Sequence, residues 1–276
     1  MSKFNKKRQV IHLTCLFLCP LLFYQVLISI SFLFLSNLSY ANCKNLPIAE
    51  TVRYQTIFDG DTILLKDGRK IRLIGINTPE IGRKGRPSQA FAQKAKQTLR
   101  LLLSQSQYLH LAYDVEKKDR YKRTLAYIYL QDGTDVQAKL LLSGLATSIV
   151  VKANEKNLSC YRRLEEKARK KHLGIWQQKK YKSINAINLT APRVGSMRRN
   201  KSYRFVRGKV TYVKRKSHHI ILKLEHNLSI KLSGKAFLTY QYQKLLGLQI
   251  QVRGIVYAYR KKPGMSIYHP ANIIIL

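Results

Sequence analysis

Between Phe58 and Glu80 the chain reads FDGDTILLKDGRKIRLIGINTPE, and Asp59, Asp61 and Glu80 are three of only fourteen carboxylates in a protein with 51 Lys and Arg. Clustered carboxylates hold hard, oxygen-seeking cations and accept protons, and the guanidinium of Arg72 suits an oxyanion. The group forms only if the chain folds back on itself. Two short apolar strand patterns, Thr62–Leu65 and Lys70–Ile76, flank Lys66-Asp67-Gly68-Arg69, a turn in which Asp-Gly supplies positive φ at little cost. That hairpin brings Asp59-Gly60-Asp61 beside Asn77-Thr78-Pro79-Glu80. Strict alternation would put Arg72 and Asn77 on opposite faces, so a bulge or strand end is expected near Gly75.

Further along stand Asp119-Arg120-Tyr121-Lys122-Arg123-Thr124-Leu125-Ala126-Tyr127 and Leu173-Gly174-Ile175-Trp176. With Asp59-Gly60-Asp61-Thr62 and Arg72-Leu73-Ile74-Gly75-Ile76-Asn77-Thr78-Pro79-Glu80 they make four segments, in order over about half of the chain, that resemble the staphylococcal nuclease (thermonuclease) family. The resemblance implies an OB-type barrel and hydrolysis of phosphodiesters in DNA, with RNA a second candidate. It assigns Glu80 as general base and Arg72 and Arg123 as phosphate-gripping residues. Asp61, Asn77 and the Thr78 carbonyl become ligands of a divalent cation, expected to be Ca2+. Arg120 and Tyr121 are assigned to substrate binding. Two departures matter. Asn77 stands where the family carries a second carboxylate, which removes one negative charge from the cation site and leaves the identity of the metal open. Lys122 stands where the family has Gly, which strains the turn if positive φ is needed there. Singly, each of these residues belongs more often to a turn, an edge strand or a loop start than to a site; the ordered set carries the nuclease reading. A nucleic-acid-binding protein that kept the barrel without catalysis is the alternative, and Asn77 favours it.

The remaining elements must position this group. Ser88 is expected to cap a helix over Gln89–Leu103 with Phe91, Ala95, Leu99 and Leu102 inward. Strands follow at Tyr108–Tyr113 and Thr124–Leu130. Helices are expected over Val136–Ser143 and Tyr161–His172, and Trp176 is expected to plug the base of the core. This is an α+β pattern built on a small barrel, and the resemblance implies that the barrel is a five-stranded OB-type β-barrel with three helices. Lys179–Lys201 reads as linker. Beyond it, strands at Arg204–Val213, His219–Glu225, Leu228–Leu232 and Gln249–Tyr259, a short helix over Lys235–Leu245 and a closing Met265–Leu276 predict a second, smaller, mostly-β OB-like domain. The expected organisation is therefore 1–41 signal, 42–180 catalytic barrel, 181–200 linker and 201–276 basic nucleic-acid-binding domain.

The net charge of +37 points to a polyanionic partner, with an anionic membrane or cell-wall surface as the less specific alternative. Lys3, Lys6, Lys7 and Arg8 precede an uncharged run from Ile11 to Leu35, the pattern of a secretory signal, with Ser39-Tyr40-Ala41 as the cleavage sequence. A secreted or periplasmic protein is expected; residues 11–35 could otherwise remain as a membrane anchor. Removing residues 1–41 takes four basic groups and no acids from +37 and leaves +33, so the charge belongs to the working protein. Cys15 and Cys19 leave with the signal. Cys43 and Cys160 remain, an even pair that in an exported chain is a candidate disulfide, two independent thiols being the alternative. His218, His219 and His226 sit at a basic turn and read as a solvated hairpin. Neither a Cys-x-x-Cys pair, a phosphate-binding Gly loop nor a Ser/His/Asp signature is apparent, and nothing implies a protein partner, so a monomer is expected.

Overall fold

The computed structural model describes residues 43–83, 85–150, 153–189, 203–259 and 262–276. The expected signal segment, and the expected linker beyond residue 189, lie outside them. The first half contains β1 (Glu50–Val52), β2 (Tyr54–Asp59), β3 (Thr62–Leu65), β4 (Lys70–Leu73), β5 (Ile76–Asn77), α1 (Ala92–Leu103), β6 (Leu109–Ala112), β7 (Thr124–Tyr129), α2 (Val136–Leu142), β8 (Thr147–Ser148) and α3 (Leu158–Lys170). Its sheet runs β1-β6-β7-β4-β3-β2. Only Arg53 separates β1 from β2, so the two ends of the sheet are one strand and the sheet closes into a five-stranded barrel, with β4 and β7 parallel. The alternating apolar residues of these strands, including Ile63, Leu65, Ile71, Leu73 and Leu111, are fully buried.

The second half repeats the connectivity. It contains β9 (Ile184–Asn185), β10 (Tyr203–Arg215), β11 (Ile220–Leu224), β12 (Leu228–Leu232), β13 (Gln249–Tyr259), β14 (Lys262–Ile267) and β15 (Ile273–Ile275). The order β10-β11-β12-β14-β13 returns to β10, with β12 and β14 parallel. In both barrels the fifth strand in sequence inserts between the third and fourth, the OB arrangement. Together they form the expected α+β fold.

Several local expectations differ. Ser88 does not cap α1: its hydroxyl accepts from the Gly82 N–H at 3.0 Å, the Gln89 N–H donates to Glu80 O, and the helix starts after Phe91 at φ 69°. The backbone around Glu80 uses the groups that a cap would have needed. Leu103, with Ala92, Ala95 and Leu99, forms the buried face of α1, in place of Leu102. The expected helix over Lys235–Leu245 is two 3-10 turns, Lys235–Phe237 and Tyr242–Leu245. Phe237 and Tyr242 are both buried. Five residues apart they would point about 140° away from each other on one helix, so breaking it lets both enter the core.

Trp176 packs edge-on against Tyr181 and against Phe205 of β10, with ring centroids 5.6 and 5.7 Å away. It fills the seam between the barrels rather than the base of the first. Beside it lies a buried ion pair: Arg253 Nη1 on β13 is 2.7 Å from Glu165 Oε2 on α3, and Ser148 Oγ donates to the same oxygen at 3.0 Å. Arg162 adds a bond to Asn272 Oδ1 at 2.9 Å. The two barrels therefore share a packed, charged seam.

Cys43 and Cys160 are joined by a disulfide that closes a loop spanning 117 positions and fastens the segment before β1 to α3. Closing so long a loop restricts the unfolded chain. Reduction should lower stability by about 2–4 kcal/mol; denaturant titrations with and without reductant measure this, and superimposable curves would show that the bridge contributes nothing.

Candidate active site

The turn between β2 and β3 brings Asp61 under the segment that follows β5. Asp61 Oδ2 accepts from the Thr78 N–H at 2.8 Å and the Thr78 hydroxyl at 3.1 Å, and Arg72 Nη2 lies 3.1 Å from it. Gly60 makes this approach possible, since a Cβ there would sit 2.9 Å from the Thr78 side chain. After β4 the chain turns at Gly75, φ 78°, and β5 starts at Ile76. This strand end lets Asn77 Oδ1 accept from Arg72 Nη2 at 3.1 Å, although alternation alone would have separated the two residues. Arg72 Nη1 also donates to Leu73 O at 2.8 Å. Of its five N–H groups, Nε and one on Nη1 remain for a further partner.

Glu80 is exposed and lines a cleft of about 570 Å³ with Asp59, Lys70, Arg83, Arg86 and Arg123. Arg123 is oriented by Asp119, whose Oδ2 accepts from Arg123 Nε at 2.8 Å. Partial burial pushes the Asp119 carboxyl up, but its bonds to Arg123 prevail and hold it below the usual carboxylate range. The turn between them needs Lys122 at φ 62°, a conformation costing a side chain roughly 1–2 kcal/mol. Tyr121 is 64% exposed at the rim, where Arg120 Nη2 donates to its hydroxyl at 2.7 Å. A neighbouring cleft of about 300 Å³ shares Lys70 and Arg123 and reaches Tyr121. Lys70, Arg83 and Arg86 were not among the residues that the sequence singled out. Arg83 and Arg86 stand in the basic, breaker-rich stretch from Gly82 to Pro87, the signal that could have found them.

Whether the site suits a hard cation is decided by its own carboxylates. Burial, and after it the charge of Asp61, pushes the Asp59 carboxyl up to about 6, with Glu80 adding to the rise. Asp61 and Glu80 both act on Asp59, yet among the described residues no group of three acidic or His side chains is set to hold a metal ion, so a hard cation here would have to draw on backbone and amide oxygens as well. The structure places Asp61, Asn77 and Thr78 side by side; the Asn77 amide donates to Thr78 O at 3.2 Å and its oxygen faces Arg72.

A sequence profile described as "Staphylococcal nuclease homologue" matches residues 70–178. A thermonuclease of Staphylococcus intermedius is 36% identical over 132 residues, covering 47% of this chain and 77% of that protein. The chain belongs to the staphylococcal nuclease family. A thermonuclease of Staphylococcus hyicus is 34% identical over 131 residues, covering 46% of this chain and 76% of its own. Endonuclease YncB of Bacillus subtilis is 31% identical over 150 residues, covering 52% and 70%. The protein is a nuclease of this family with an OB-type barrel. The profile match ends before β9, so the second barrel stands outside it.

Proposed function

We propose that the protein is an exported, metal-assisted phosphodiesterase that cuts DNA, with RNA as a second candidate, and that the Glu80 cleft is its active site. The observation that carries this reading is the cleft itself: Glu80 and Asp59 stand within a ring formed by Lys70, Arg83, Arg86 and Arg123. Cations of that density draw a polyanion, and an exposed carboxylate among them can take a proton from water. Glu80 acts as the general base. Arg123, aligned by Asp119, holds a phosphoryl oxygen through its planar donors; Arg72, buried and not part of the cleft lining, would add its two uncommitted N–H groups once a phosphate reaches it. Asp61, Asn77 and the Thr78 carbonyl would hold the cation, for which calcium is the first candidate. Bound there, it would offset charge developing on the phosphoryl oxygens. The second barrel adds affinity: from residue 201 onward fifteen Lys and Arg face one acid, Glu225. Export is supported by the basic start and uncharged run ahead of residue 42, and by the disulfide of the described fold.

The test is cleavage of DNA in calcium, in magnesium and in chelator, by the parent and by Asn77→Asp. The parent should cut only with a divalent ion. Asn77→Asp should reach half-maximal activity at a lower calcium concentration, because it adds a carboxylate to the ligand set. A parent that binds DNA and cuts nothing in any metal would leave a binding protein; an unchanged calcium requirement in the variant would remove Asn77 from the ligands.

A further inference from the structure

We propose that a pocket at the tip of the β10–β11 hairpin in the second barrel holds a phosphodiester group of the nucleic acid, and that His218 and His219 strengthen its grip at acid pH. The inference deepens the binding role given to the second barrel, and takes from the nuclease reading only the identity of the partner. The pocket has a volume of about 230 Å³. That is below the roughly 300–1,000 Å³ of pockets that enclose a whole small molecule, so it suits one group of a longer chain.

Local structure builds it. β10 and β11 pair as far as Arg215 opposite Ile220, and the Lys216 N–H donates to His219 O at 2.8 Å, which leaves Ser217 and His218 at the tip. Ile220 in turn lies opposite Leu232 at the end of β12. The chain then turns at Gly234, φ 126°, and the buried Phe237 holds the short 3-10 turn that carries Lys235 against the barrel. Arg215, Lys216, His218, His219 and Lys235 therefore line one pocket, above the buried Ile220 and Leu232.

Charge selects the occupant. Lys231, just before Leu232 on β12, is a further basic group that acts on His219. No carboxylate lines the pocket, and none of these six basic residues makes an ion pair among the described residues. The one acid of this barrel, Glu225, follows the far end of β11, roughly 17 Å along the strand. Like charges gathered without an acid repel one another, and an anion seated among them relieves this. A guanidinium fork and imidazole N–H groups are directional donors that suit the separate oxygens of a phosphate entering a concavity, whereas a flat anionic membrane would touch only the tip. His219 is half-buried, and that burial, followed by the charges of Lys231, His218 and Lys216, holds its imidazole below the ordinary value. A phosphate alongside favours the protonated ring, so binding takes up a proton and tightens as pH falls through the histidine range.

The experiment measures DNA binding by the full chain in chelator, where no cleavage is needed, at pH 8 and pH 5.5 and over a range of salt. It compares the parent with H218Q/H219Q, Lys235→Gln and, as a control, Lys66→Gln on the first barrel. Parent affinity should rise about tenfold at the lower pH, the order of one hydrogen bond to a charged group. H218Q/H219Q should match the parent at pH 8 and lose most of that rise. Lys235→Gln should weaken binding at both pH values and lower the slope of log affinity against log salt by about one, while Lys66→Gln leaves the slope unchanged. A rise retained by H218Q/H219Q, equal effects of Lys235→Gln and Lys66→Gln, or a parent that binds no DNA overturns the proposal. Vesicles of phosphatidylglycerol test the other polyanion: vesicle binding that depends on His218 and His219, with DNA binding that does not, would assign the pocket to a membrane and overturn it as well. A parent that shows this pH-graded binding and cuts nothing in any metal would remove the nuclease reading and leave the pocket standing.

Discussion

Glu80→Gln should lower the rate of DNA cleavage by about 10²–10⁴-fold, the range that a positioned base supplies, while affinity for DNA stays near that of the parent. The substitution preserves size and removes only the capacity to take a proton. The side chain is exposed at the cleft, so the fold has little reason to respond. Arg123→Lys and Arg72→Lys retain the charge but lose the planar fork, and cleavage should fall much further than binding, which the remaining cations sustain. Arg72 carries an additional cost, because its bonds to Leu73 O and Asn77 Oδ1 are disturbed as well. Single-turnover rates and binding isotherms at one fixed salt concentration separate the two effects. Undiminished cleavage in all three variants would place the chemistry elsewhere.

The second large effect lies in the seam. Arg253→Met should cost about 3–5 kcal/mol, since it leaves a buried carboxylate without its nearest partner. Both side chains are almost fully enclosed, at 3% and 2% exposure. Burial pushes the Glu165 carboxyl up to about 7, against the pull of Arg162, Ser148 and Arg169. A carboxyl raised above its unfolded value of 4.5 loses stability as pH rises through that window. Without Arg253 the carboxyl rises further, so the deficit should be larger at pH 8 than at pH 5. Replacing both residues with Met removes the stranded charge and should recover much of the loss. Urea titrations at the two pH values measure this. A cost below about 1 kcal/mol at pH 8 would mean that the pair does not hold the seam.

Much of the first barrel was legible because its signals are local. Alternating apolar residues in Thr62–Leu65 and Lys70–Leu73, with Asp67-Gly68 between them, specify a hairpin whatever surrounds it, and Gly75 marks where that strand has to stop. Leu228–Leu232 and Gln249–Tyr259 were bounded correctly for the same reason. Asp61, Arg72, Asn77 and Thr78 could be grouped from the sequence, since a hairpin and one turn bring them together.

What the sequence could not supply depends on distant partners. The start of α1 moved because Ser88 and Gln89 bond to Gly82 and Glu80. The expected helix after β12 broke so that two aromatic rings could reach one core. Trp176 went to the seam because Phe205, far along the chain, offers it a face. Lys70, Arg83 and Arg86 joined Glu80 and Arg123 only when barrel closure set the basic loop against the hairpin. The amino-acid sequence by itself determined two strand-rich barrels, the large cationic excess and the acidic and basic residues capable of phosphodiester chemistry, because periodicity, turn chemistry and charge are properties of neighbours in the chain. Tertiary structure alone decided which cations face Glu80, which way Asn77 turns and how the second barrel is fixed to the first, because burial and ion pairing depend on residues as far apart as Glu165 and Arg253.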